Sequence, residues 1–176
     1  MRVFDLPGQF GITQAINITS VDFGIELATG ATGSQPAVVN IYTLAGPMLF
    51  ANLTLIASQP VTVPDQSLTV LNVPVSANIP AGAILVVSIF TPNGQVSGNS
   101  FFIGSNNLGQ TGPSYLAAGD CGVPEPIPTS DIGFPDMHIV MNVYANDEVQ
   151  DVPLKSWPIL LGMLLMSAFL IYRFKR

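Results

Sequence analysis

The chain has 176 residues, 48% of them hydrophobic and only 9% charged, with a net charge of −6 at pH 7. An average soluble domain is about 25% charged. The length fits one domain with room for an appendage, long enough to bury a real core. The acid excess excludes a nucleic-acid partner, which needs a basic face. A single cysteine, Cys121, excludes an intrachain disulfide, and the ordinary expectation for a free cysteine is burial as a small hydrophobe.

In chain order, the opening "MRVFDLPGQF" has no apolar core of the kind a signal peptide needs. An export route would then require that Met1 is internal to a longer native chain, and that is the expectation. Val21, Phe23, Ile25 and Leu27 alternate with Asp22, Gly24, Glu26 and Ala28, a period of two that predicts a strand with one wet face. Further strands are predicted over 16–19, 38–44, 53–57, 61–63, 68–75, 84–90, 100–103 and 137–145. Between them lie "TGATGSQP", "PDQS", "IPAGA" and "TPNGQVSG", which are turn chemistry. No segment before Trp157 has a convincing 3.6-residue period. These elements predict an all-β fold, an antiparallel β-sandwich of jelly-roll type over 1–146. The stretch 104–135 is rich in Gly, Pro and Ser and is too long for an idle loop, so it is expected to be functional or folded back on the sheet.

A linker over 147–156 leads to a segment of different character, 157–176. From Trp157 to Tyr172 there is no charge. As a helix these residues would span roughly 24 Å, slightly short of a hydrocarbon core of about 30 Å. Trp157 and Tyr172 stand at the ends, where interfacial aromatics lie, and Arg173, Lys175 and Arg176 follow. No Lys or Arg occurs from residue 3 to residue 154, the stretch that holds every Asp and Glu. The asymmetry predicts one C-terminal transmembrane helix with a cytoplasmic tail and an extracytoplasmic body at the cell envelope.

The run Val152-Pro153-Leu154-Lys155-Ser156-Trp157, followed by apolar residues and a basic end, resembles the bacterial C-terminal sorting signals of the IPTL-CTERM family. Pro153, Ser156 and Trp157 match that motif. Lys155 stands where Leu is usual, and one spacer residue is missing. The resemblance implies export and a sorting protease of the exosortase or rhombosortase type as a partner, beside the lipid bilayer itself. "FFIGSNNLGQTGPSYLAAGDCGVPEP" followed by "IGFPDMHIVMNVY" is similar to a β-sandwich domain of bacterial exported proteins, and the similarity runs from Arg2 to Tyr144. It implies a fold but no activity.

Catalytic chemistry finds little footing. His138 is the only histidine, so a Ser-His-Asp triad would have to use it, and a strand histidine is the simpler reading. The sequence contains no Gly-x-Ser-x-Gly and no phosphate-binding glycine motif. Asp120, Glu125, Asp131 and Asp136 share one segment and are candidate oxygen ligands for a structural Ca²⁺; otherwise they are solvated loop carboxylates. No other metal or cofactor is expected. Eleven acids with almost no basic partners are also expected to repel one another, favouring the body near pH 5 over pH 8 in low salt.

The expected function is therefore non-enzymatic: an exported, membrane-anchored or sorted surface protein working in adhesion, matrix assembly or ligand presentation. The alternative is a carbohydrate-binding module separated from an upstream enzyme by a misplaced start. Its glycan partners would stack on Tyr42, Phe90, Tyr115 or Tyr144, since Trp157 is the only tryptophan and belongs to the anchor.

Overall fold

The alternation at 21–28 becomes a strand, and a longer one than its pattern suggests. In the computed structural model, which describes residues 1–110 and 112–147, strand β2 spans Ile16–Thr29 and absorbs the predicted strand before it. Ile16, Ile18, Val21, Phe23, Ile25 and Ala28 are buried. The alternation slips between Ile18 and Ser20, where the pairing register shifts and Ser20 faces Pro74. Proline has no N–H for a ladder, and a bulge is where a paired strand tolerates one.

The other main strands are β1 (Arg2–Asp5), β3 (Ser34–Leu44), β4 (Leu53–Pro64), β5 (Gln66–Ile79), β6 (Ile84–Phe90) and β7 (Ser100–Ile103). Then come β8 (Ser105–Asn106), β9 (Tyr115–Ala118), β10 (Val123–Pro128), β11 (His138–Ile139) and β12 (Met141–Asp147). One four-stranded sheet runs β1–β6–β3–β4, and the other runs β12–β2–β5 with β7 also paired to β2. Every pair is antiparallel. β4 fuses two predicted strands across Pro60, which is tolerable because β4 is an edge strand bonded to β3 alone. The inward residues of both sheets share one core. Phe23 and Ile25 from β2 and Val73 and Val75 from β5 join Val39 and Ile41 from β3 and Leu85 and Val87 from β6. Burying each such side chain is worth about 1.5–3 kcal/mol, which is what holds the two layers together.

The second sheet forks at a three-way junction. β7 pairs with the far half of β2, through Ile103 opposite Ile25, and β12 pairs with the near half, through Met141 opposite Phe23. At the fork three residues close a ring of backbone bonds. Gly24 N–H donates to the Val140 carbonyl at 3.0 Å, Val140 N–H to the Gly104 carbonyl at 3.0 Å, and Gly104 N–H to the Gly24 carbonyl at 2.7 Å. The approach is possible because two of the three residues, Gly24 and Gly104, have no side chain.

The N-terminal strand was not foreseen as a strand. Arg2, Val3, Phe4 and Asp5 pair with Val87, Val86, Leu85 and Ile84 of β6. A short helix, α1 (Leu6–Phe10), follows; the Asp5 carboxylate caps it by accepting from Gly8 N–H at 3.0 Å, and Gly11 in the left-handed region ends it. Arg2 is 5% exposed, and its guanidinium donates to the Gln110 side-chain oxygen at 3.1 Å and to the Ile139 carbonyl at 3.2 Å. It also lies 6.0 Å from the centre of the Phe4 ring. Burial lowers the guanidinium pKa below its ordinary value.

Beside Arg2 sits Ser114, 1% exposed. Its hydroxyl donates to Gln110 at 3.1 Å and accepts from Ile139 N–H at 2.9 Å, and its carbonyl accepts from Thr129 N–H at 2.9 Å. Its backbone also forms an antiparallel bridge with Arg2, so Ser114 joins the N-terminal strand, the 104–135 stretch and β11. Ser114→Ala leaves the Ile139 N–H buried and unpaired, and should lower stability by about 1–3 kcal/mol. Urea unfolding should show a lower midpoint at an unchanged slope, and an unchanged midpoint would mean the serine bonds contribute nothing net.

The carboxylates meet neutral donors. Asp65 accepts from Gly30 N–H at 2.7 Å, and Asp22 accepts from the Asn72 amide at 2.6 Å and the Tyr144 hydroxyl at 2.9 Å. Among the described residues no helix is long and apolar enough to cross a membrane. The expected transmembrane segment 157–176 and nearly all of the linker 147–156 lie outside the described residues.

Candidate functional site

The 104–135 stretch does fold back. β9 and β10 form a hairpin, Tyr115 opposite Pro128 and Ala118 opposite Val123, closed by a 3₁₀ turn at Gly119–Cys121. It is anchored at its base by reciprocal backbone bonds: Tyr115 N–H donates to the Met1 carbonyl at 3.0 Å, and the Met1 amine donates to the Tyr115 carbonyl at 2.7 Å. At its tip, the Asp120 carboxylate accepts from the Asn93 amide at 2.9 Å. Along its side, the Glu125 carboxylate accepts from Phe50 N–H at 2.9 Å. The hairpin is thus tied to the first sheet and to the two loops beside it.

Between hairpin and sheet lies an open cleft of about 720 Å³. That is within the roughly 300–1,000 Å³ typical of small-ligand sites. Asn40 and Tyr42 from β3 and Ser88 and Phe90 from β6 contribute to its lining on the sheet side. In register, Asn40 faces Ser88 and Val38 faces Phe90. Tyr115 and Asp120 line it from the hairpin. At its inner end it reaches Ile139 and Met141 of the shared core.

Polar groups in the cleft are held before any ligand arrives. Asn40 accepts from the Ser58 hydroxyl at 2.8 Å. The Asn93 side-chain oxygen accepts from Gln95 N–H at 3.0 Å while its amide donates to Asp120, so both ends of Asn93 are fixed. Tyr115 has its phenol pKa raised, first by burial and then by the Asp131 charge, so it remains a neutral hydroxyl across the physiological range. The Met1 amine at the cleft has its pKa lowered from 8.0 to about 5, first by burial and then by repulsion from Arg2. An aromatic surface with fixed amides is suited to binding; a nucleophile–base pair is not among the features it presents.

Three of the four aromatic residues expected to bind sugars, Tyr42, Phe90 and Tyr115, meet here. Tyr144 does not. It stands on β12, and its hydroxyl donates to Asp22; that bond, then the Asp22 charge, then burial raise its pKa. The four expected calcium ligands do not converge. Asp120 sits on the hairpin tip, Glu125 in β10, Asp131 in the Thr129–Ile132 turn bonded to the Ser130 hydroxyl, and Asp136 in the turn before β11. Among the described residues no group of three or more His, Cys, Asp or Glu gathers as a metal site. Four acids close in sequence separate because strand β10 and its two flanking turns carry them apart.

His138 is a strand residue in β11 whose Nδ1 donates to the Leu108 carbonyl. Cys121 corrects the expectation of burial: it is exposed, on the cleft lining, because it ends the hairpin turn. Sequence reasoning missed Phe50, Asn93 and Asp120 as cleft residues. "TPNGQVSG" was legible as a turn, but nothing in it says which strand pair the turn overhangs.

Fold and cleft together define an all-β protein of antiparallel, sandwich-like build with an aromatic cleft beneath a hairpin. Comparison with protein-family models, with curated proteins and with solved structures finds no match.

Proposed function

We propose that this chain is an exported binding protein, a non-enzymatic β-sandwich held at or sorted to the cell envelope by its C-terminal segment. The observation that supports binding is the cleft, where fixed amides and aromatic faces converge. The tether rests on the uncharged run before Arg173, Lys175 and Arg176. On this reading that run crosses the bilayer, and the Pro153, Ser156 and Trp157 pattern addresses the chain to a sorting protease. The nested pairing, β3 with β4, then β2 with β5, then β1 with β6, supports reading the sandwich as a jelly roll.

Orientation tests the tether. Cys121 is exposed and is the sole cysteine, so a membrane-impermeant maleimide should label it in intact spheroplasts. In Cys121→Ser/Arg176→Cys the new thiol should react only after lysis. The reverse pattern overturns the topology.

A second reading, a carbohydrate-binding module, is favoured by the convergence of Tyr42, Phe90 and Tyr115 on one cleft. The apolar faces of sugar rings pack on aromatic rings, and their hydroxyls take amide bonds.

A further inference from the structure

The charge of the cleft narrows its ligand class. Of the side chains that line it, Asp120 is the one carboxylate, and none is Lys, Arg or His. From residue 3 to residue 154 the sequence offers no Lys or Arg to meet an anion, and His138, the one histidine, is not among the cleft residues. Arg2 is buried, with its guanidinium turned to Gln110 and the Ile139 carbonyl. At neutral pH the Met1 amine at the cleft is uncharged, so an anionic ligand would be stripped of water, find no counter-charge, and face a carboxylate. A neutral ligand meets no such obstacle, and a cationic one gains a partner.

The rest of the lining favours a ring-shaped, hydroxyl-rich ligand over a flexible chain. Phe90 is 54% exposed and Phe50 41%, so two flat apolar faces stand free in water at the cleft. Asn93 is locked at both ends by Asp120 and Gln95, so it spends little entropy on binding. One carboxylate oxygen of Asp120 is committed to Asn93, which places the acid where it orients the amide as well as setting the local charge.

Resting on the carbohydrate-binding reading, we infer that the cleft takes uncharged or amine-bearing oligosaccharides and rejects acidic ones, with Asp120 as the selecting residue. Aromatic contact supplies affinity and Asp120 supplies discrimination. Like-charge juxtaposition is a common device for excluding a wrong partner, and here it acts on uronates, sialosides and sulfated glycans alike.

The test is a glycan array probed with the full chain in a zwitterionic detergent, because sugar-headed detergents would compete. Hits should be confined to neutral and amino-sugar oligosaccharides. Calorimetry with the strongest neutral hit and its uronate counterpart should show the uronate binding at least about tenfold more weakly. Asp120→Asn should close most of that gap, read as the ratio of the two affinities, because loss of the carboxylate also alters how Asn93 is held. Phe90→Ala, at an exposed position that the fold does not need, should weaken the neutral ligand about tenfold. Acidic hits of equal strength overturn the charge inference and leave the carbohydrate reading standing. An array without hits overturns both. A hit unaffected by Phe90→Ala places the binding outside this cleft, and an unchanged gap in Asp120→Asn removes the role of Asp120. A lysine tripeptide that binds as tightly as the best amino sugar would make the site a cation site and overturn the inference.

Discussion

Gly104→Ala should lower the melting temperature of the full chain by on the order of 10 °C. A Cβ at Gly104 would stand 2.7 Å from the Gly24 carbonyl carbon, 2.9 Å from the Gly24 Cα and 2.9 Å from the Ile25 nitrogen. All three are backbone atoms of the central strand β2, so no side chain can swing aside. Relief requires moving β7 away from β2, which strains the ring of bonds joining Gly24, Gly104 and Val140. Over-packing usually costs about 1–3 kcal/mol, and a clash with backbone belongs at or beyond the upper end. Gly24→Ala should cost less. Its Cβ would meet Val140 Cβ at 3.0 Å and Gly104 Cα at 3.2 Å, contacts that a shift of a few tenths of an ångström relieves. Gly109, with open space around it, is the control, and Gly109→Ala should melt within about 2 °C of the parent. If Gly104→Ala and Gly109→Ala melt together, the junction is not a close-packed point.

For the chain with a free amine at Met1, stability should fall as pH drops from about 8 to about 5. The folded amine has a pKa of about 5 against 8.0 unfolded, because burial and then Arg2 disfavour its charged form. Above pH 8 the amine is neutral in both states and the contribution to stability is complete. Between 8 and 5 the unfolded chain takes up a proton that the folded chain refuses, so stability is lost throughout that window. Below about 5 both states are protonated and the loss levels off. Three pKa units correspond to about 4 kcal/mol. This runs against the pH trend expected from the acidic composition, and it should prevail. Repulsion between exposed carboxylates is screened over about 10 Å at 0.1 M salt, whereas a partly buried amine bonded to the Tyr115 carbonyl is screened less. Denaturant unfolding at pH 8.5, 6.5 and 5 measures the slope. An N-terminally acetylated chain carries no amine and should lose it. The same slope in both chains would refute the assignment.

Strand positions were largely legible because burial of one sheet face writes a two-residue period. β6 and β7 fall at 84–90 and 100–103 as the pattern predicts, and β2 to β5 contain their predicted cores. Merging at β2 and β4 was not legible, since bulges and an edge-strand proline look like breaks when the partner strand is unknown. β1 was missed because "RVFD" is short and carries two charges. Its pairing with β6, and the burial of Arg2 against Gln110 and Ile139, give it a place that propensity could not.

By itself, then, the amino-acid order determined the strand-rich class, the turns, the acid excess of the body and the apolar, base-tipped tail, because these follow from local periodicity and composition. It also made Tyr42, Phe90 and Tyr115 visible as aromatics. Only the tertiary structure decided that they share a cleft and that Tyr144 does not, that Asp120 leaves its sequence neighbours to hold Asn93, and that Cys121 is exposed. Gly24 and Gly104 were read as an outward strand position and a loop residue; the structure makes them the two bare points where three strands touch. The physical reason is common to all of these. Side-chain alternation is set within a few residues, whereas the meeting of residues about 50 to 75 positions apart depends on how the sheets pair and how the 104–135 stretch lies across them.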